Sequence, residues 1–200
     1  MILILSQGAR GMVKPAGQVR VIAGQWRGRK LAVPDVEGLR PTPDRVRETL
    51  FNWLSAHLSR ARCLDLFAGS GALGFEALSR GASVVEMVDQ SPVVIKHLKA
   101  TAALLKTEAA IIYQASLPQG LHPASQPFDV VFLDPPYQAH LLLPCCHYLE
   151  QHHYLSDSAY IYLEADAAIS DNELPPTWRL LKREQAGAVH YHLAQRVSHD

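Results

Sequence analysis

Residues 64–74, LDLFAGSGALG, decide the fold of this chain, because an apolar run passes through a glycine turn into a second apolar segment. The run predicts a buried strand, and the segment after the turn predicts a helix. Gly69 and Gly71 permit positive φ angles and let a ligand approach the backbone closely, while Gly74 permits tight packing between helix and sheet. The stretch is therefore expected to form a strand–turn–helix unit that binds a ligand at its turn.

Strands and helices alternate through the rest of the chain on either side of this turn. Predicted strands cover residues 63–67, 84–88, 110–113, 128–133 and 159–164, and predicted helices cover residues 72–80, 92–105 and 141–151. Two apolar segments, residues 178–185 and 189–195, flank a glycine and predict a closing β-hairpin. This order predicts an α/β domain over residues 59–200. It resembles the Rossmann-like, seven-stranded, mostly parallel sheet of class I methyltransferases.

The N-terminal part of the chain is organised differently. Residues 1–18 are expected to form a flexible extension. Residues 19–33 alternate loosely around two glycines, which predicts a small β-ribbon. A helix is predicted after an extended linker, with Thr42 as its N-cap and Pro43 at its first position. Residues 19–58 are thus predicted to form a ribbon and a helix in front of the main domain.

Composition and charge limit the class of protein. A chain of 200 residues with 48% apolar content fits one domain with a small appendage. Its three cysteines make no disulfide framework, which predicts a reducing, cytoplasmic location, and no segment is typical of a signal peptide or a membrane span. Residues 1–62 contain eleven Lys and Arg against four Asp and Glu, whereas residues 107–178 contain nine acids and no Lys or Arg. The basic end suggests an anionic partner; an unevenly charged, solvated surface is the alternative.

Carboxylates near two strand ends indicate the ligand. A glycine turn alone is shared with dinucleotide-binding enzymes, but Asp65 would repel a pyrophosphate and would bind the ammonium group of S-adenosylmethionine. Asp89, at the end of the second strand, is expected to accept both ribose hydroxyls, with Glu86 as the alternative. Gln114 and Ala115 follow the third strand and resemble the acidic or amide residue followed by Ala that methyltransferases often have there, which implies a position near the adenine amine. The predicted cofactor set also includes the turn residues Phe67, Gly69, Ser70 and Gly71, whose D-x-F-x-G-S-G form resembles methyltransferase motif I.

Residues 134–137, DPPY, directly follow the strand predicted over residues 128–133. The two prolines stop the strand and stiffen the loop, and ligands bind at this end of the strands in open α/β sheets. Asp134 and the carbonyl of Pro135 can accept hydrogen bonds from an exocyclic amine. Tyr137 can stack on the ring that carries the amine, so Tyr137→Phe is expected to be mild. DPPY resembles motif IV of methyltransferases that act on adenine N6, cytosine N4 or guanine N2; an ordinary strand-ending turn is the alternative.

The predicted ribbon carries a cluster of basic residues around Trp26. Its cations are Arg20, Arg27, Arg29 and Lys30. They can bind phosphates, and an exposed indole can stack on a base; packing of Trp26 against the domain is the alternative. Arg45 and Arg47, in the first turns of the predicted helix, are further candidates, with an ion pair to Glu48 as the alternative. These seven residues are the predicted RNA contacts.

Two segments of this region resemble a known family. Residues 20–31, RVIAGQWRGRKL, and residues 38–54, GLRPTPDRVRETLFNWL, are similar to the signature of the bacterial RsmD family, and the similarity extends to about Arg196. The resemblance implies S-adenosylmethionine as methyl donor and N2 of a specific guanine in 16S ribosomal RNA as target. It also implies that Thr42 and its helix lie beside the cofactor as a lid. Gln114 departs from the Asp or Asn that is commoner at its position in such sequences.

Other functions stay open on the residues alone. DPPY also serves adenine-N6 methylation of DNA or RNA. A non-catalytic nucleic-acid-binding relic of the fold is a second alternative, against which the intact Asp65, Asp89 and Asp134 argue. DPPY has no role in hydride transfer, which disfavours a nicotinamide dehydrogenase. The cysteines and histidines of residues 145–153 match no metal-ligand spacing, so no metal is expected. The expected partner is 16S ribosomal RNA, naked or within a small subunit, and no membrane.

Overall fold

The structure is a computed structural model that describes residues 17–36, 39 and 42–197. Residues 1–16 of the predicted flexible extension lie outside the described residues, whereas Gly17 and Gln18 belong to the first strand. None of the helices in the described ranges combines the length and the apolar character that a membrane span requires.

The described residues form a two-stranded ribbon and a seven-stranded sheet. The strands are β1 (Gly17–Arg20), β2 (Lys30–Val33), β3 (Arg62–Leu66), β4 (Val84–Asp89), β5 (Ala110–Gln114), β6 (Phe128–Leu133), β7 (Leu155–Ala165), β8 (Trp178–Ala186) and β9 (Val189–Arg196). The helices are α1 (Asp44–Trp53), α2 (Ala72–Ser79), α3 (Pro92–Leu105) and α4 (Leu142–Gln151). The sheet has the order β5-β4-β3-β6-β7-β9-β8, and β9 runs antiparallel to both of its neighbours. This confirms the predicted α/β fold with its closing hairpin.

Helices cover both faces of the large sheet. Helices α1, α2 and α3 pack on one face, in a core that includes Phe51, Phe75 and Leu98. Helix α4 packs on the other face through Cys146 and Leu149. The central strands are apolar on both faces because a parallel strand between two helix layers is buried from both sides. Their carboxyl ends all meet at one edge of the sheet, which is the edge that carries the site.

Local signals set several of the element bounds. Helix α3 begins where predicted, since Ser91 caps it by accepting a hydrogen bond from the N–H of Val94 (3.4 Å). Strand β7 begins four residues earlier than predicted, at Leu155, because its first part is polar and gives no apolar strand pattern. The prediction that Thr42 caps α1 is wrong. Pro43 holds the N-cap position, and the hydroxyl of Thr42 has another partner, described below.

The β1–β2 ribbon packs against the C-terminal end of α2. Trp26 is only 7% exposed, and its backbone N–H donates to Ser79 Oγ (2.9 Å). Gly24 has a φ of +81°, and a Cβ atom there would lie 1.8 Å from the carbonyl oxygen of Ser79, so only glycine allows so close an approach. The expectation of an exposed Trp26 that stacks on RNA is therefore wrong, and the packed alternative is correct.

A buried ion pair joins the ribbon to α1 and α2. The side chains of Arg47 and Glu76 are both fully buried, and Arg47 Nη1 lies 3.9 Å from Glu76 Oε2. The same carboxylate accepts the backbone N–H groups of Ile22 (2.7 Å) and Ala23 (3.0 Å), while Arg47 Nη2 donates to Asp44 Oδ1 (2.7 Å). Arg47 was predicted to contact RNA, and this is wrong because its guanidinium group is inside the protein.

Candidate active site

Four acidic side chains lie on four neighbouring strands at the carboxyl edge of the sheet. Asp89 ends β4, Asp65 lies near the end of β3, Asp134 follows β6, and Glu164 lies near the end of β7. The first three were expected from the sequence, whereas Glu164 was not. Within the part of the chain that the structure describes, no group of three or more His, Cys, Asp or Glu residues has an arrangement that could hold a metal ion.

Asp65 lies beneath the glycine turn. Its side chain is almost completely buried, and Oδ2 accepts a hydrogen bond from the N–H of Gly74 (2.9 Å) in the first turn of α2. Burial raises the pKa of Asp65 to about 7; the N–H of Gly74 opposes this rise and the charge of Asp89 adds to it. A buried carboxyl group with a raised pKa is a favourable binding site for a cation, because the cation compensates the negative charge that forms when the group ionises.

The turn above Asp65 has an unusual backbone conformation. Phe67 has a φ of +67°, which is uncommon for a residue other than glycine, and Gly69 and Gly71 have φ values of +51° and +77°. Strained non-glycine residues of this kind are typical of ligand-binding loops. Ser70 is 5% exposed within the same turn. The structure thus brings the predicted turn residues together between β3, which carries the buried Asp65, and α2.

Asp89 is held in place by two backbone groups. Its Oδ2 accepts the N–H of Gly69 (3.1 Å), and its Oδ1 accepts the N–H of Ser91 (2.9 Å). Burial raises the pKa of Asp89, and these hydrogen bonds oppose the rise. Gln114 pairs with Asp89 in the β4–β5 register, and the N–H of Ala115 donates to the Asp89 carbonyl oxygen (3.1 Å). The three residues predicted for the nucleoside part of a cofactor are therefore neighbours.

Asp134 begins the loop after β6. Thr42 is buried, and its Oγ1 donates to Asp134 Oδ2 at 3.3 Å. Burial raises the pKa of Asp134 well above its usual range; the negative charge of Glu164 adds to the rise and the hydrogen bond from Thr42 opposes it. Pro135, the next residue, is also buried. Thr42 was predicted as a cofactor contact, and the structure places its hydroxyl against this carboxylate.

Glu164 connects two tyrosines next to Asp134. Tyr137 donates from its hydroxyl to Glu164 Oε1 (3.1 Å), and Tyr162 donates to Oε2 (2.9 Å). Leu133 pairs with Leu163 between the parallel strands β6 and β7, so the two residues that follow, Asp134 and Glu164, occupy equivalent positions. Sequence analysis did not single out Glu164. The signal that could have found it is an acid that lies on the next parallel strand at the position equivalent to Asp134.

A cavity of about 320 Å³ opens beside Tyr137. Its walls include Pro135, Leu142, Ala165 and Ile169, which are apolar, and the acidic residues Glu164, Asp166 and Glu173. None of the described residues that line it is Lys or Arg. A flat, uncharged ring with hydrogen-bond donors on its edge suits such walls better than a phosphate group does.

Comparisons with known proteins give the family. The model of a family described as "Conserved hypothetical protein 95" matches residues 19–195. Two curated relatives are both named "Ribosomal RNA small subunit methyltransferase D". The relative from Escherichia coli (strain K12) is 45% identical over 181 residues, covering 90% of this chain and 91% of the relative. The relative from Haemophilus influenzae is 48% identical over 185 residues, covering 90% and 94%. The chain belongs to this family.

Membership in the ribosomal RNA small subunit methyltransferase D family confirms the RsmD resemblance, and the chain is a methyltransferase. The solved structure of the Escherichia coli protein yhhF has a TM-score of 0.83 and 44% identity; the match covers 92% of this chain and 100% of that chain. The carboxyl-edge acids are thus the candidate active site of a methyltransferase.

The residues predicted to contact RNA separate into two groups. Trp26 and Arg47 are buried, as described above. The exposed members of the predicted RNA-binding set are Arg20, Arg27, Arg29, Lys30 and Arg45. Four of these five lie on the ribbon, and Arg45 lies in the first turn of α1, close in sequence to Thr42 and therefore to the Asp134 end of the site.

Proposed function

We propose that this methyltransferase transfers a methyl group from S-adenosylmethionine to N2 of a specific guanine in 16S ribosomal RNA, in the cytoplasm. The observation that carries the proposal is that Tyr137, in the same loop as Asp134, lines a mostly apolar cavity. This loop lies at the same sheet edge as Asp65 and Asp89. The names of the curated relatives support ribosomal RNA of the small subunit as the substrate.

The residues around the glycine turn fit S-adenosylmethionine by the chemistry of their side chains. Asp65 would hold the ammonium group, Asp89 the ribose hydroxyls, and Gln114 with Ala115 the adenine amine. A pyrophosphate would instead meet two carboxylates, which disfavours a dinucleotide. When bound, S-adenosylmethionine supplies a methyl group on a positively charged sulfur.

Asp134 and Pro135 provide the hydrogen-bond acceptors for the target amine. The lone pair of the guanine amine is delocalised into the ring, and a carboxylate oxygen and a backbone carbonyl that accept its two hydrogens favour a pyramidal, more nucleophilic nitrogen. Tyr137 holds the plane of a flipped base by stacking on it. Thr42 orients the Asp134 carboxylate through the 3.3 Å hydrogen bond. Positioning of the nitrogen is the main contribution of these residues, and the released proton passes to Asp134 or to water.

The exposed cations of the ribbon are proposed to bind RNA phosphates. The ribbon is anchored to α2 by Glu76 and Ser79, and α2 begins at the cofactor turn. A phosphate backbone held along the ribbon would therefore lie at a fixed distance from the catalytic edge. Arg45 extends the basic surface towards that edge.

Asp65→Asn is expected to weaken the binding of S-adenosylmethionine by about 10- to 100-fold, because a hydrogen bond to a charged group is lost while the amide oxygen can still accept the Gly74 N–H. Since the pKa of Asp65 is raised to about 7 and a cation favours the ionised form, wild-type affinity should rise from about pH 5 to about pH 7 with release of protons. Calorimetry in buffers of different ionisation enthalpy measures both effects. If Asp65→Asn binds S-adenosylmethionine at pH 7 as tightly as the wild type does, this role of Asp65 is contradicted.

Replacing Arg27, Arg29 and Lys30 together with Ala is expected to weaken RNA binding. The slope of the logarithm of the binding constant against the logarithm of the salt concentration should become shallower by about three units, about one for each phosphate contact. Affinity for S-adenosylmethionine should not change. The matched control replaces three exposed lysines elsewhere, Lys96, Lys99 and Lys182, and should leave the slope nearly unchanged. If both triple variants behave alike across a salt titration, the ribbon is only a solvated surface.

The experiment that tests the proposed substrate uses S-adenosylmethionine with a tritiated methyl group. The protein is incubated with naked 16S RNA, isolated small subunits, 23S RNA and duplex DNA, and each polymer is purified on a gel and counted. Label in 16S RNA, naked or within subunits, is expected. Label only in DNA would favour the adenine-N6 alternative, and no label in any polymer would favour the non-catalytic one.

A further inference from the structure

Glu164 is a buried carboxylate to which the mechanism above assigns no role. It is only 4% exposed. This is unusual because acidic side chains are mostly solvated, and one at the end of a strand beside a cavity could reach water. Both of its oxygens accept a hydrogen bond from a tyrosine, Oε1 from Tyr137 (3.1 Å) and Oε2 from Tyr162 (2.9 Å). A buried carboxylate has a high desolvation cost, so hydrogen bonds of this kind stabilise it strongly.

The two tyrosines differ in how firmly the rest of the fold holds them. Tyr162 lies inside β7 with no exposed surface, between its sheet neighbours. Tyr137 is partly exposed and lies on a single turn of 3-10 helix after two prolines. This turn ends at His140, whose backbone is left-handed with a φ of +50°. The position of the Tyr137 ring therefore depends on its hydroxyl group more than the position of the Tyr162 ring does.

We propose that Glu164 is a positioning residue for methyl transfer: held by Tyr162, it fixes the hydroxyl end of Tyr137 and thereby the plane of the ring on which the target base stacks. The inference rests on the proposed function. Glu164 acts through Tyr137, because each of its two oxygens already accepts a hydrogen bond from a tyrosine hydroxyl. The hydroxyl of Tyr137 thus has a defined role, which changes the expectation that Tyr137→Phe is mild.

Tyr137→Phe and Glu164→Gln test the proposal together with the double variant. Each single change should lower kcat for 16S RNA by about tenfold with a smaller change in KM, because the base is still bound but its amine is less well placed. The double variant should be no slower than the slower single variant, since both changes break one contact. Affinity for S-adenosylmethionine should stay at the wild-type value in all three proteins.

Glu184→Gln is the matched control. Glu184 is exposed on β8 and does not line the cavity, so this change also replaces a glutamate by glutamine but leaves the surroundings of Tyr137 intact and should leave kcat unchanged. Wild-type kcat in Tyr137→Phe, or effects of the two single changes that multiply in the double variant, would overturn the proposal. Tyr137→Phe keeps the Glu164–Tyr162 contact, so it remains informative if Glu164→Gln fails to fold. A wild-type enzyme that forms no methylguanine would instead refute the proposed function.

Discussion

Asp134→Ala is expected to lower kcat for RNA methylation by about 10²–10³ or more, because the target amine loses the carboxylate that accepts its hydrogen and orients its lone pair. Binding of S-adenosylmethionine should be retained, since Asp65 and Asp89 lie on other strands. Single-turnover kinetics with labelled S-adenosylmethionine measures the chemical step, and calorimetry measures cofactor binding on the same preparation.

Two further variants separate the acceptor function of Asp134 from its charge. Asp134→Asn keeps one acceptor oxygen and should lose less activity than Asp134→Ala. Asp157→Ala removes an acid that is 89% exposed and pairs with Arg196 far from the site, so it should behave as wild type. An Asp134→Ala enzyme with wild-type kcat would refute the mechanism, whatever the result for the other two variants.

Glu76→Ala is expected to lower the free energy of unfolding by about 3–5 kcal/mol, because it leaves the buried guanidinium of Arg47 without one of its two carboxylate partners. It also leaves the N–H groups of Ile22 and Ala23 without their acceptor. Urea unfolding monitored by tryptophan fluorescence measures the loss. Detachment of the ribbon should also increase cleavage by trypsin at Arg27 and Arg29.

Glu48→Ala is the matched control for this stability prediction. Glu48 is also an acid of the N-terminal region, but it is exposed on α1, and surface substitutions of this kind usually change stability by about 0.5 kcal/mol or less. If Glu76→Ala unfolds at the same urea concentration as Glu48→Ala, the buried pair does not hold the ribbon on α2.

The arrangement of the main domain could be predicted because its signals are local. The strand over residues 128–133 and the helix over residues 92–105 have the predicted bounds. The strand at residues 159–164 was predicted too short, since its polar first part carries no apolar pattern. The strand–helix alternation and the closing hairpin predicted a mostly parallel, seven-stranded sheet, which the structure has.

The N-terminal residues could be predicted less well because their environment is set by distant partners. Trp26 and Arg47 lie in a segment rich in exposed cations, and nothing in the sequence around them indicates that they are buried. Both are buried against α2, through Ser79 and Glu76, which are more than twenty residues away along the chain. The cap position suggested by Thr42 was wrong for a related reason, since its hydroxyl donates to Asp134, 92 residues further on.

The acidic side chains at the carboxyl edge of the sheet were expected where a motif marks them, and Glu164 was not singled out because no motif marks it. A recognisable pattern marks each of the other three acids. Asp65 precedes the glycine turn, Asp89 ends a strand, and Asp134 precedes the double proline. Glu164 lies within an apolar strand and looks like an isolated polar residue. Only the register of β7 against β6 brings it level with Asp134 and within reach of Tyr137.

Nucleoside analysis of 16S RNA methylated by the purified protein tests the central claim most directly. The RNA comes from cells that lack this activity, is methylated with labelled S-adenosylmethionine, digested to nucleosides and separated by chromatography with mass detection. The account predicts label in N2-methylguanosine, with about one methyl group per RNA molecule, and no label with Asp134→Ala. Label in N6-methyladenosine, or in another position of guanosine, would contradict it.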